Sequence, residues 1–137
     1  MRARTLIAVA VVALAACGKQ ERTPEGDVRA TLEGFAKAVL ERDYQALCDR
    51  YFSPSLITGL ERSGLPCEAA LRPEISATNE PRMRIGAITV EGTTARAEVR
   101  TEAANQPPSD DVVALKLEEG AWRIAALNDV SPQPVLP

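Results

Sequence analysis

In the middle of the chain, apolar side chains recur every three or four positions, the spacing that places them on one face of a helix. The spacing predicts four helical segments: 24–42, 44–52, 54–63 and 66–71. Thr23, Asp43 and Ser53 each stand where an N-cap is expected. Gly64 is expected to end the third segment, and Pro73 to stop the fourth because proline interrupts a helix interior.

After residue 81 the period of the apolar positions changes to two, as in strands with one buried face. The pattern predicts four strands: 83–90, 94–100, 113–117 and 122–126. The apolar phase of the first strand shifts beside Gly86, which predicts a β-bulge there. Glu91-Gly92 and Glu119-Gly120 are predicted tight turns, and residues 103–110, which contain Pro107-Pro108, are predicted to form a loop.

Helices followed by an antiparallel meander are the element order of an α+β domain. We therefore expect N-terminal helices packed on one face of a curved antiparallel sheet of about four strands. The domain is expected to span residues 24–127. The segment 128–137 contains three prolines and is expected to be a flexible tail on the surface.

The N-terminal segment has the pattern of an export signal. Two arginines precede an uncharged run of 12 residues, Thr5 to Ala16, which is too short to span a membrane but suits the apolar core of a signal peptide. The run ends in Leu14-Ala15-Ala16-Cys17-Gly18, which resembles the lipobox of bacterial lipoprotein signal peptides. The resemblance implies removal of residues 1–16 and attachment of lipid to Cys17. The alternative is an ordinary secretory peptide.

A lipidated Cys17 would anchor the protein to the cell membrane or the outer membrane, with its domain on the extracytoplasmic side. Two or more acyl chains hold a protein stably on a bilayer, whereas one binds reversibly. Residues 17–23 would then form the lipidated cysteine and a tether that reaches roughly 20 Å when extended. We therefore expect the domain to lie close to the bilayer surface.

Two further cysteines, Cys48 and Cys67, remain for the exported domain. An even pair in an exported domain predicts a disulfide. The alternative is a redox-active pair, which the wide spacing disfavours because no Cys-x-x-Cys motif is present.

The composition excludes several classes of function. The sequence has no histidine, which removes Ser-His-Asp and Cys-His nucleophile systems and zinc sites that need imidazole. The net charge of -3 leaves no basic face for a phosphate backbone, so nucleic acid is not an expected partner. The glycines form neither a dinucleotide-binding nor a P-loop motif, and no cofactor or metal is predicted.

Three features together resemble the nuclear transport factor 2-like (cystatin-like roll) superfamily. They are the long opening helix 24–42, the second helix with Asp43-Tyr44 and Leu47-Cys48, and the pattern Gly120-x-Trp122-x-Ile124 in the last strand. The resemblance implies an apolar pocket between helices and sheet. Enzymes of the superfamily place an acid and a tyrosine in that pocket, whereas other members bind a small molecule or a protein, or form a homodimer through the sheet. An extra strand between the early helices, common in the superfamily, is not expected here.

The aromatic residues Phe35, Tyr44 and Tyr51, with Trp122 opposite, are the candidate pocket lining. The alternative is that these four side chains form the core of a domain with few aromatics.

Asp43, Asp49 and Asp129 are the nearest candidates for a general base, although they are better explained as a helix cap, a helix-surface residue and a loop residue, respectively. Asp110-Asp111 are candidates for a cation contact but fall short of a calcium-binding motif. Arg96, Glu98 and Arg100 share one face of a strand, as a solvated charge ladder or as a partner surface.

The sequence therefore favours a membrane-anchored, non-catalytic domain that binds a small apolar ligand or an envelope protein. Two alternatives stay open: a small acid–base enzyme of the isomerase or dehydratase type, and a purely structural envelope lipoprotein. None of the candidate residues is assigned a catalytic role.

Overall fold

The computed structural model describes residues 22–128. Within them, the helical half of the domain consists of α1 (Pro24–Glu41), α2 (Tyr44–Ala46), a π-helix (Leu47–Tyr51), α3 (Pro54–Glu61) and α4 (Cys67–Ser76). Four strands follow: β1 (Arg82–Glu91), β2 (Thr94–Ala103), β3 (Gln106–Glu118) and β4 (Ala121–Ala126). The expected α+β architecture is confirmed.

The three predicted N-caps all accept the backbone hydrogen bond that defines a cap. Thr23 Oγ1 accepts from Gly26 N at 3.0 Å, and Asp43 Oδ1 accepts from Ala46 N at 3.0 Å. Ser53 Oγ accepts from the amide at the start of α3 at 3.2 Å. Each bond satisfies one of the N–H groups that a helix leaves unpaired in its first turn, so these residues set where the helices begin.

Two helix ends differ from the sequence expectation. The third helix ends at Glu61, before Gly64, which lies in the following turn with φ 83°. The fourth helix was expected to stop at Pro73, but α4 continues to Ser76. The turn after the proline keeps its own hydrogen bond, from Ala77 N to Pro73 O at 3.1 Å, so only the bond that the proline nitrogen cannot donate is lost.

The four strands form one antiparallel sheet in the order β1-β2-β3-β4. The predicted bulge is confirmed, because the β1–β2 register shifts between Ile85 and Ile88. Arg29 of α1 donates to the carbonyls of Ile85 and Gly86 at 3.4 and 3.2 Å, which ties the helix to the bulge. Glu119 and Gly120 have φ of 52° and 79°, the left-handed pair that a two-residue hairpin turn requires.

The predicted loop 103–110 is wrong, since β3 begins at Gln106 and runs through both prolines. Pro107 and Pro108 lie where the β2–β3 register shifts, and β4 pairs with β3 only from Ala114 onwards. This part of β3 is bulged and has a neighbouring strand on one side only, so a proline there, which lacks an N–H, breaks no hydrogen bond of the sheet. The chain therefore keeps an extended conformation that the prolines alone would not predict.

The core lies between the helices and one face of the sheet. The deepest side chains come from both halves: Val28, Leu32, Leu47, Phe52, Ala97, Leu115 and Ile124. Phe52 forms one parallel bridge with Ile124 of β4, in the place where an additional strand could extend the sheet. A disulfide joins Cys48 of the π-helix to Cys67 at the start of α4, as predicted.

Candidate functional site

A cavity of about 430 Å³ opens between α1, α4 and the sheet. Its sheet wall is formed by the start of β1, the end of β2 and the first half of β3. Leu127 and Asn128, which follow β4, complete the wall. A volume above roughly 300 Å³ is in the range of natural small-molecule sites.

The deep part of the cavity is apolar. Phe35 of α1 and Phe52 before α3 form one side, with ring centroids 5.9 Å apart. Val99 of β2 and Val113 of β3 form the other, and all four side chains are less than 10% exposed. Such walls favour an apolar ligand because its entry removes hydrocarbon surface from water.

The rim on the β2–β3 side carries a short hydrogen-bonded chain. Ser109 Oγ donates to Asp111 Oδ2 at 2.6 Å, and Thr101 Oγ1 lies 2.9 Å from Ser109 Oγ. Since a hydroxyl has one hydrogen and Ser109 gives it to the carboxylate, Thr101 must be the donor to Ser109. The chain therefore runs in one direction, from Thr101 to Asp111.

Asn128 supports the same carboxylate from the other side. Its amide is oriented with Nδ2 towards Asp111 Oδ1 and Leu127 O, each 2.9 Å away, because the opposite orientation would set its oxygen against two acceptors. Each oxygen of Asp111 thus accepts one hydrogen bond from the protein. A carboxylate oxygen has two lone pairs, so each keeps a place for a further donor.

The rim is also acidic. Glu74 of α4 and Asp111 of β3 line the cavity, whereas Glu102 of β2 and Arg82 of β1, which also border it, occupy outer-face positions of their strands. Arg82 lies directly opposite Glu102 in the β1–β2 pairing. Within residues 22–128, the carboxylates of Glu74 and Asp111 form no ion pair with a lysine or arginine.

Of the four aromatic residues considered for the pocket, the structure places Phe35 in the cavity wall and the others elsewhere. Tyr44 is hydrogen-bonded to Ser76 Oγ at 3.0 Å, with the Arg72 guanidinium 4.7 Å above its ring. The ring of Tyr51 lies against Gly34 of α1. Trp122 is buried opposite Leu117, at the far end of the sheet from the cavity.

The candidate bases do not meet in the cavity either. Asp43 caps α2, and Asp49 is exposed on the π-helix, where Arg123 donates to its backbone carbonyl at 2.9 Å. Asp129 lies outside the described residues. Asp111, which the sequence offered only as part of a cation contact, is instead the carboxylate at the cavity rim.

Asp110 and Asp111 point to opposite faces of the sheet, as neighbours in a strand must. Asp110 pairs with Arg100 at 2.8 Å on the outer face, and Glu102 contacts the same guanidinium at 3.3 Å. The hydrogen bond and charge of Asp110, followed by those of Glu102, raise the pKa of Arg100. The described residues contain no group of three or more acidic or cysteine ligands that could hold a metal ion.

The rest of the predicted ladder lies on that same outer face. Glu98 is exposed there and lines a shallow cleft with Arg84 and Arg100. Arg96 is half-buried and has an interaction partner of its own. Cys17 falls outside the described residues, and no helix within them is long and apolar enough to cross a membrane.

Sequence reasoning missed the rim residues Thr101, Ser109 and Asn128. A signal for Ser109 was available, because Ser109, Asp111 and Val113 alternate with the period of a strand. Because two prolines precede Ser109, residues 103–110 were predicted as a loop and the predicted strand began only at residue 113. Asn128 reaches Asp111 only through the fold, so no local pattern points to it.

Comparison with known proteins identifies the fold. A nuclear transport factor 2-like protein of unknown function from Silicibacter pomeroyi DSS-3 superposes with a TM-score of 0.52 at 23% identity, over 72% of this chain and 87% of that chain. A de novo designed nuclear transport factor 2-fold protein gives 0.53 at 17% identity, over 80% of this chain and 90% of that one. The domain therefore has the nuclear transport factor 2-like fold, as the sequence resemblance implied.

A third structure, a SEC-C motif-containing protein from Rhodopseudomonas palustris, gives a TM-score of 0.51 at 14% identity over 80% of both chains. No protein-family model matches the chain, and no curated protein matches it significantly. Likeness at these identities establishes the fold alone, so function has to be argued from the cavity.

Proposed function

We propose that this chain is an exported lipoprotein whose domain binds a small, largely apolar ligand in the cavity between α1, α4 and the sheet, without transforming it. The observation that carries the proposal is the cavity of about 430 Å³ with apolar deep walls and a polar rim. Concave sites of this kind, mostly apolar with a few polar groups that fix orientation, are the usual form of a small-molecule site.

The open cavity favours ligand binding over a purely structural role. A domain that served only as a spacer would gain stability from filling this volume, because unfilled space forfeits van der Waals contacts. Phe35, Phe52 and Val113 instead stand around a space that their side chains leave open.

The positions of the tyrosines favour binding over acid–base catalysis. An enzyme of the isomerase type would need an acid facing Tyr44 or Tyr51 within the pocket, close enough to share a proton. Both tyrosines lie outside the cavity wall, and Asp111 is surrounded there by hydroxyl and amide groups.

The ligand proposal is tested by native mass spectrometry of residues 18–137, which contain all described elements, after export in a bacterial host. We expect a co-purified small molecule. The matched variants are Ala36→Phe, which places a ring in the cavity wall, and Ala30→Phe, on the exposed side of the same helix. The ligand should be lost from the first and kept by the second.

A bare wild-type monomer would contradict ligand binding and favour a protein partner or a structural role. A bare dimer would instead point to pairing through the sheet. Both outcomes are read from the same spectrum, because the mass gives the number of chains and the presence of any bound molecule.

The proposal includes a lipid anchor because the segment that resembles a lipobox contains Cys17, the residue that would carry the lipid. Cells that express the full chain and take up labelled palmitate should transfer label to the protein and hold it in the membrane fraction. The Cys17→Ser variant should lose both, whereas the Cys48→Ser/Cys67→Ser variant, which keeps Cys17, should remain labelled. Labelling that survives in Cys17→Ser would refute lipidation at this residue.

A further inference from the structure

We propose that the rim of the cavity selects ligands with a positively charged amine head group, so that the natural ligand is a cationic amphiphile. The inference rests on the proposed function and narrows it to a ligand class. The apolar body would occupy the space between Phe35 and Val113, and the ammonium group would donate hydrogen bonds to Asp111.

The hydrogen-bonding capacity of the rim is the first argument. Ser109 gives its only hydroxyl hydrogen to Asp111, and Thr101 gives its own to Ser109. Neither hydroxyl therefore has a hydrogen left for a ligand. Asp111 retains free lone pairs on both carboxylate oxygens, so this part of the rim accepts hydrogen bonds from a ligand and does not offer them.

Charge is the second argument. Four charged residues border the cavity, and two of them, Glu102 and Arg82, occupy outer-face positions of their strands. The two that remain, Glu74 and Asp111, are both acidic. Arg82 is the β1 partner of Glu102 in the strand register, and Glu102 also contacts Arg100, so both charges of this pair belong to the outer face. Glu74 and Asp111 remain without an ion-pair partner among residues 22–128. A cation at the rim would be attracted by both carboxylates, and an anion would be repelled.

The position of Asp111 relative to the apolar walls is the third argument. Asp111 and Val113 are two residues apart on β3 and face the same side of the sheet. Two residues of a strand span about 7 Å, so the charged head and the apolar body of one amphiphile reach both. An ammonium at the half-exposed rim would keep much of its hydration, which avoids the cost of burying a charge.

The test uses three probes with the same ten-carbon chain: decylamine, decanol and decanoate. Each is titrated into residues 18–137 by calorimetry at neutral pH, below its micelle concentration. We expect decylamine to bind about fivefold more tightly than decanol, the upper end for an exposed charge pair, and decanoate to bind most weakly. The preference should shrink as salt is added, because exposed charges are screened.

Two variants locate the effect. Asp111→Asn should remove most of the preference for decylamine and leave the affinity for decanol unchanged, since Glu74 is then the one acidic residue left at the rim. Asp110→Asn removes the same charge one residue away on the outer face, and should leave the amine preference intact. Circular dichroism of both variants establishes that each is folded.

The outcomes separate this inference from the proposed function. If none of the probes binds the wild-type domain, cavity binding itself fails. If all three bind with equal affinity, or decanoate binds best, the cavity binds apolar chains but the selection for amines is refuted. If Asp110→Asn weakens the amine preference as much as Asp111→Asn does, the overall charge of the domain, and not the rim, causes the preference. That result would also overturn the assignment.

Discussion

The disulfide between Cys48 and Cys67 should supply a large part of the stability of the domain. The bond joins residues 19 apart in sequence and connects the π-helix to α4, one wall of the cavity. In the chain-entropy model, closing a loop of this length stabilises the folded state by about 3 kcal/mol. That is a substantial share of the roughly 5–15 kcal/mol by which most domains are stable.

The variant that tests this magnitude is Cys48→Ala/Cys67→Ala in residues 18–137. Alanine is the suitable replacement because both positions are 5% exposed, where a serine hydroxyl would add a burial cost of its own. Trp122, the one tryptophan of the sequence, is 7% exposed and reports unfolding through its fluorescence. With a urea m-value of about 1.5 kcal/mol per molar, the midpoint should fall by about 2 M.

Reduction provides the control for side-chain volume. Dithiothreitol should lower the midpoint of the wild-type domain to nearly that of the double variant and leave the variant itself unchanged. An unchanged midpoint on reduction, with free thiols verified by alkylation, would refute the stabilising role. If reduction changes the m-value as well as the midpoint, the bond also alters how compact the unfolded chain is.

Three substitutions test the packing of the helices by the same urea assay. Ser53→Ala should lower the free energy of unfolding by about 1 kcal/mol, because Ser53 is fully buried and caps α3; an unchanged midpoint would show that another group satisfies the helix start. Gly34→Ala should lower it by about 1 kcal/mol, since the new Cβ would lie 2.5 Å from Tyr51 Oη and overpacking outweighs the gain in helix propensity. Gly59→Ala, with no atom within 4 Å of its new Cβ, should raise it by up to about 1 kcal/mol. Equal stabilisation by both alanines would refute the role of the Tyr51 contact.

The elements were predictable from sequence wherever a local pattern decides them. Apolar periodicity and capping residues define α1, and the phase shift beside Gly86 identifies the bulge of β1. Prolines were misleading where tertiary context overrides them. Pro73 lies inside α4, whose last turn keeps the bond from Ala77 N to Pro73 O and contacts Tyr44 through Ser76. Pro107 lies in β3 because that stretch has a neighbouring strand on one side only.

The cavity itself follows from unequal strand lengths, which no local pattern reports. β3 spans 13 residues, whereas β4 spans 6 and pairs only with the second half of β3. Trp122 and Ile124 therefore fill the end of the sheet where four strands are present. The first half of β3 is paired with β2 but has no neighbouring strand on its other side. At the end of the sheet that β4 does not reach, Val99 and Val113 face α1 and α4 across an open space. Asp111 lies at the cavity rim because the rim is where β3 extends past β4. Lengthening β4 beyond Ala126, so that it pairs with residues 106–113, should accordingly close the cavity and abolish ligand binding.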